Sequence, residues 1–87
     1  MSTLHLVVDP AALSSAMRSA EPGDTILLLQ DGAYAAVTAP ASAPCPVGVL
    51  GSDAVARGVA PAADIDALDY ETFVMRAAEH DNSVTWT

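Results

Sequence analysis

Short apolar runs alternate along this chain with stretches in which apolar residues recur every third or fourth position. Thr3-Leu-His-Leu-Val-Val8 is rich in β-formers and stops at Asp9-Pro10, a pair suited to capping and opening a helix, which predicts a first strand. Leu13, Ala16, Met17 and Ala20 then share one helical face, while Ser14, Ser15, Arg18 and Ser19 fall largely elsewhere. Glu21-Pro22-Gly23-Asp24 is a strong turn signal that ends this helix. Thr25-Ile-Leu-Leu-Leu29 is continuously apolar and too short for a typical helix, as expected of a central strand covered on both faces.

Gln30-Asp31-Gly32 closes that strand, and Ala33 to Val37 predicts a short helix leaving the sheet. Thr38 to Pro46 reads as an Ala, Pro and Ser loop that contains Cys45. Val47 to Leu50 is a third strand, followed by a brief helix that Ser52 can cap and Gly58 can end. Ile65 to Leu68 is a weaker strand. Asp69 can cap a final helix with Tyr70, Phe73, Val74 and Ala77 on one apolar face, and Ser83 to Trp86 alternates like an edge strand. Strands alternating with helices predict a small single-domain α/β fold spanning residues 1–87, with a mostly parallel sheet and helices on both faces. The strand order stays open.

Composition tempers the apolar share. Of the residues that make the chain 52% hydrophobic, eighteen are alanines, which bring little apolar area each. A domain of 87 residues buries only roughly 60–65% of the surface its unfolded form exposes, so association is a reasonable expectation. Eleven Asp and Glu stand against Arg18, Arg57 and Arg76 with no lysine, giving −8. Such a chain is poorly suited to gripping a nucleic-acid backbone, which needs Lys and Arg to replace condensed counterions. The acidity reads either as a solvated surface or as a docking face for a basic partner. No run approaches a membrane span and no basic-then-apolar leader opens the sequence, so a cytoplasmic location is expected.

Candidate chemistry is sparse. In parallel α/β folds ligands sit beyond the carboxyl ends of the strands, which makes Gln30, Asp31 and Gly32 with Tyr34 the best-placed polar group. It reads as a tight turn, with Asp31 satisfying free helix N–H groups and Gly32 relieving the backbone, or as a contact surface around a partner's active site. Cys45 is the only cysteine, which excludes an internal disulfide. Its Ala43-Pro-Cys-Pro46 setting supplies no Lys, Arg or helix N-terminus to favour thiolate, so it reads as an inert thiol. His5 in a strand and His80 at a helix end read as structural, and neither has the spacing of a metal site. No phosphate loop and no nucleophile–base–acid set can be assembled, so no catalytic residue, metal or cofactor is expected.

The order of segments is similar to that of a known family. Leu27-Leu-Leu-Gln-Asp-Gly-Ala-Tyr-Ala-Ala36 resembles the LLLQDGVYAA signature of TusB/DsrH subunits, Ala56-Arg-Gly58 matches their "ARG" element, and Leu68-Asp-Tyr-Glu-Thr-Phe-Val74 resembles "IDYxxFV". His80 and Trp86 fall where members have "EH" and a terminal Trp. The resemblance implies a DsrE-like fold and a non-catalytic accessory role in a sulfur-relay complex. The companions would be TusC/DsrF-like and TusD/DsrE-like subunits, commonly as a hetero-hexamer, with the relay persulfide on the TusD/DsrE-like partner and a TusE/DsrC-like protein as a further sulfur acceptor. The implied pathways are tRNA 2-thiouridine formation and dissimilatory sulfur oxidation. On this reading Gln30, Asp31, Gly32, Tyr34, Tyr70 and Trp86 are the candidate partner-binding residues. Two features depart from the family: Leu13 to Ala20 lacks the cysteine some DsrH members carry there, and Thr38 to Pro44 replaces a longer helical segment. A stand-alone self-associating domain and direct sulfur acceptance by Cys45 are the alternatives.

Overall fold

A computed structural model describes residues 1–38, 40 and 42–87; positions 39 and 41, inside the expected Thr38–Pro46 loop, lie outside the described residues. The elements are β1 (Thr3–Val7), a 3-10 turn (Pro10–Ala12), α1 (Leu13–Ser19), β2 (Thr25–Leu28), a 3-10 segment (Gln30–Val37), β3 (Val47–Leu50), α2 (Gly51–Ala56), β4 (Asp66–Leu68), α3 (Tyr70–Ala78) and β5 (Asn82–Trp86). All strand pairs are parallel, in the order β4-β3-β2-β1-β5. The continuously apolar Thr25–Leu28 run occupies the centre, buried at every position.

This order explains how helices reach both faces. The steps β1 to β2 to β3 to β4 all run one way across the sheet, whereas β4 to β5 returns past three strands. Right-handed crossovers therefore put α1, the 3-10 segment and α2 on one face and α3 on the other. Packing agrees: Ala16, Ala33, Ala36 and Ala54 lie against Val7, Ile26, Leu28 and Val49, with Leu13 and Met17 beside them. The alanines are consequential here, because each is 0–2% exposed and lets a helical segment ride close to the sheet.

The opposite face is thinner. Leu4, Leu27 and Leu68 are buried there with only Leu6 and Phe73 packed against them. The sequence predicts one apolar face of α3 through Tyr70, Phe73, Val74 and Ala77, yet only Phe73 reaches the leucines. Tyr70 is 71% and Val74 46% exposed, and no residue of α3 is fully buried. A nine-residue helix spanning the return from β4 to β5 has room to seat one large side chain in that cluster.

Local signals fare unevenly. Asp69 caps α3, its Oδ1 accepting from the Thr72 N–H at 2.7 Å, and that bond holds its carboxyl below the usual range. Asp9 likewise accepts from the Ala11 N–H at 2.9 Å. Ser52 does not cap α2: β3 runs directly into the helix, Leu50 takes the N-cap position, and no side chain bonds there. Among the described residues no helix is long and apolar enough to cross a membrane.

Candidate interaction edge at the strand ends

The chain leaves β2 through an unusual backbone. Gln30 adopts φ 52, in the left-handed region, and the 3-10 segment begins there rather than at Ala33. Its N–H donates to Asp53 Oδ2 at 2.6 Å, so α2 pins the conformation from across the neighbouring connection. Leu29 N–H donates to Val7 O at 3.1 Å and Gly32 N–H to Leu29 O at 3.0 Å, drawing the segment over the end of β1. Gly32 is buried there, and a Cβ at this position would stand 1.9 Å from Val7 O. Glycine is required by that close approach, not by a positive φ of its own.

Asp31 does not cap the segment; no side chain does. Its Oδ1 accepts from Arg57 Nε at 3.0 Å, and Arg57 Nη1 also donates to the Asp53 carbonyl at 3.4 Å and lies 3.9 Å from the Asp53 carboxylate. Arg57 thus ties two acidic side chains into one polar cluster at the carboxyl edge. Asp31 is 69% exposed, so this pair contributes little to stability. The spacing Asp53-x-x-x-Arg57, one helical turn apart, signals that these two share a helix face, but nothing local signals their tie to Asp31.

Tyr34 projects from the same segment at 49% exposure. Tyr70 follows β4 and stacks on Phe73 with ring centroids 6.4 Å apart, on the opposite face of the sheet. Trp86 ends β5, at the far edge from β4. With four strand intervals of about 4.8 Å between the outer strands, Tyr70 and Trp86 share an edge without forming one cluster. Gln30, Asp31, Gly32 and Tyr34 are brought together between them.

Trp86 is engaged internally. Its indole N–H donates to His5 Nδ1 at 3.0 Å, and the two rings stack at 6.1 Å. An indole can only donate, so Nδ1 carries no proton, and His5 Nε2 must donate to Asp24 Oδ2 at 3.0 Å. His5 is 3% exposed with both ring nitrogens committed, which makes it structural. Asp24 also accepts from the Glu21 and Thr3 N–H groups, both at 2.9 Å. The Glu21 N–H, then His5, hold its carboxyl down to about 2. His80 bonds the Arg76 carbonyl through Nδ1 at 2.6 Å and meets the Thr25 hydroxyl through Nε2 at 3.0 Å, closing the end of α3 onto β2.

Cys45 precedes β3 and therefore lies at the amino edge of the sheet, opposite the polar cluster. Burial raises its thiol pKa, the Asp24 charge raises it further, and the Ile26 N–H opposes both. An open groove of about 370 Å³ lies between α1 and the loop ahead of β3, lined by Ser14, Met17, Arg18, Ser42 and Pro44. Among the described residues no three His, Cys, Asp or Glu side chains are placed to hold a metal ion, and every buried side-chain nitrogen and oxygen has a partner.

Residues 8–83 match the DsrH-like protein family, a span that takes in β2, the Gln30–Val37 segment and α3. The chain belongs to the DsrH-like family. This DsrH-like chain is 34% identical over 94 residues to Protein TusB of Shigella sonnei, covering 99% of each, and 36% identical over 97 residues to Protein TusB of Escherichia coli O81, again covering 99% of each. Its fold is that of protein Tm0979 from Thermotoga maritima, with a TM-score of 0.72 at 22% identity over 91% of this chain and 93% of that one. The QDG element of the DsrH-like chain thus has a concrete structural content: a left-handed Gln30, an acidic residue gripped by Arg57, and a glycine lying on β1.

Proposed function

We propose that the chain is a non-catalytic accessory subunit of a sulfur-relay complex, beside TusC/DsrF-like and TusD/DsrE-like subunits in a cytoplasmic hetero-hexamer. The observation that carries this reading, beside the family membership, is the separation of thiol from polar edge. The single cysteine sits at the amino edge with its thiol pKa raised, while the carboxyl edge presents Asp31, Arg57 and Asp53 with exposed Tyr34. A relay thiol needs exposure and a stabilised thiolate, whereas Cys45 is half-buried beside a carboxylate that raises its pKa. The persulfide then belongs to the TusD/DsrE-like partner, and Gln30, Asp31, Gly32 and Tyr34 contribute a contact surface beside it.

Similarity to proteins named TusB favours the tRNA wobble-uridine branch over dissimilatory sulfur oxidation, with a TusE/DsrC-like protein receiving the sulfur. The net charge of −8 suits contact with protein subunits rather than with the tRNA backbone. Co-expression with candidate TusC-like and TusD-like subunits tests the reading. The expected result is one stable assembly containing all three, and recovery of this chain alone from every such mixture would overturn it.

A further inference from the structure

β5 leaves one side of its backbone free to pair. Asn82 N–H donates to Ser2 O at 3.3 Å and Trp86 O accepts from Val8 N–H at 3.1 Å, so residues 82 and 86 turn their backbone groups toward β1. The register runs from Thr3 opposite Asn82 to Val7 opposite Trp86. Alternation along the ladder therefore points the N–H and C=O of both Ser83 and Thr85 away from β1. Ser83, Val84 and Thr85 are exposed, and among the described residues no strand lies beyond β5.

Edge strands are ordinarily blunted by charge, proline, a bulge or shortness. The other edge follows that rule: β4 has three residues, includes exposed Asp66, and lies between Asp64 and Asp69. β5 does not. Its five residues, Asn-Ser-Val-Thr-Trp, contain neither a charge nor a proline.

We propose that β5 pairs antiparallel with β5 of a second copy of this chain, about a two-fold axis through Val84. In that register Ser83 stands opposite Thr85 of the second copy, and opposite residues of a hydrogen-bonded antiparallel pair exchange both of their bonds. Two such pairs satisfy all the outward N–H and C=O groups of Ser83 and Thr85 in both copies. Val84, 42% exposed, then meets its own counterpart at the non-hydrogen-bonded position, where side chains approach most closely. Asn82 faces Trp86 of the second copy, and the Ser and Thr hydroxyls pair on the other face of the seam. A slip by one residue would set outward groups against inward ones, and a slip by two would carry Ser83 or Thr85 past the end of the partner strand, so the register centred on Val84 is the one that keeps both pairs within β5.

The strand is uncharged in a chain of −8, so the seam itself brings no like charges together. A five-residue strand pair is smaller than the standard interface of about 1,200–2,000 Å², which makes the association reversible, and repulsion between the acidic copies makes it stronger as salt is added. The inference goes beyond the relay role and concerns the purified chain alone.

Site-directed cross-linking tests it. In a Cys45→Ser background, Val84→Cys, Ser83→Cys and Thr85→Cys chains are oxidised under native conditions with diamide. Only position 84 faces itself, so Val84→Cys should give a covalent dimer roughly tenfold faster than the other two variants. The unaltered chain supplies an independent readout: amide exchange at Ser83 and Thr85 should slow several-fold as protein concentration rises, while that at Asn82 and Val84 changes little. Equal cross-linking at the three positions, no cross-linking at Val84→Cys, or concentration-independent exchange at Ser83 and Thr85 would each overturn the pairing.

Discussion

Replacing Gly32 by alanine adds one methyl group where the structure has no space for it. The new Cβ would stand 1.9 Å from Val7 O and 2.8 Å from Val7 C, both backbone atoms of a fully buried residue. An ordinary C···O approach is about 3.3 Å, so the 3-10 segment and β1 must separate by more than roughly 1 Å. That movement strains packed backbone, at a cost of about 1–3 kcal/mol or more, and pulls on the Leu29 N–H to Val7 O bond, worth about 1 kcal/mol. A loss of about 2–4 kcal/mol is a large share of the roughly 4–13 kcal/mol expected for a chain of this length. Gly23→Ala is the natural comparator: φ +97 penalises alanine by about 1–2 kcal/mol, but nothing lies within 4 Å of the added carbon. Urea denaturation followed by the fluorescence of Trp86, the chain's one tryptophan, measures both. If Gly32→Ala loses less than Gly23→Ala, the account of the QDG turn as a close crossing over β1 is wrong.

Three further outcomes follow from the site geometry. The folded-state carboxyl of Asp24 titrates at about 2 against 3.8 for the free group, so its stabilisation is complete above that free value and is lost as pH falls from about 4 toward 2; acid unfolding of Asp24→Asn should show a shallower slope across that window, and an unchanged slope would contradict the assignment. Cys45 should react with a small thiol reagent more slowly than free cysteine at neutral pH, with the rate climbing as pH passes above the ordinary thiol range; fast labelling at neutral pH would count against a raised pKa. Asp31→Ala combined with Tyr34→Ala should cost no more than about 1–2 kcal/mol in thermal or urea stability, because Asp31 is largely exposed and Tyr34 half-exposed, while weakening affinity for partner subunits by more than it weakens folding, by about 2 kcal/mol or more. The reverse pattern would reduce the segment to a turn.

Much of the architecture was legible because its signals are local. The unbroken apolar run from Thr25 announces a strand covered on both faces, and Asp69 three residues before Thr72 announces a helix start. The candidate edge was only partly legible because its determinants are distant in sequence. Gln30 takes a left-handed conformation held by Asp53, twenty-three residues on, so the short helix expected from Ala33 begins at Gln30 as 3-10 structure instead. Asp31 offers a plausible cap in isolation, but Arg57 reaches it first, across a separation of twenty-six. Trp86 and His5 meet across eighty-one residues, and nothing in either neighbourhood announces the bond. The apolar periodicity of α3 is real, yet periodicity cannot say how far a helix sinks into a sheet; Tyr70 and Val74 stay exposed because Phe73 alone enters the leucine cluster.

The central claim is that this chain supports sulfur transfer without carrying sulfur itself. A reconstituted relay of TusC-like, TusD-like and TusE-like proteins, supplied with a persulfide donor and assayed for sulfur reaching the TusE-like acceptor, tests it with three preparations. One includes the chain, one includes its Cys45→Ser variant, and one omits it. The account predicts equal transfer in the first two and at least about a tenfold loss in the third, roughly 1.4 kcal/mol of lost support. A persulfide trapped on Cys45 together with failure of Cys45→Ser, or full transfer when the chain is omitted, would contradict it.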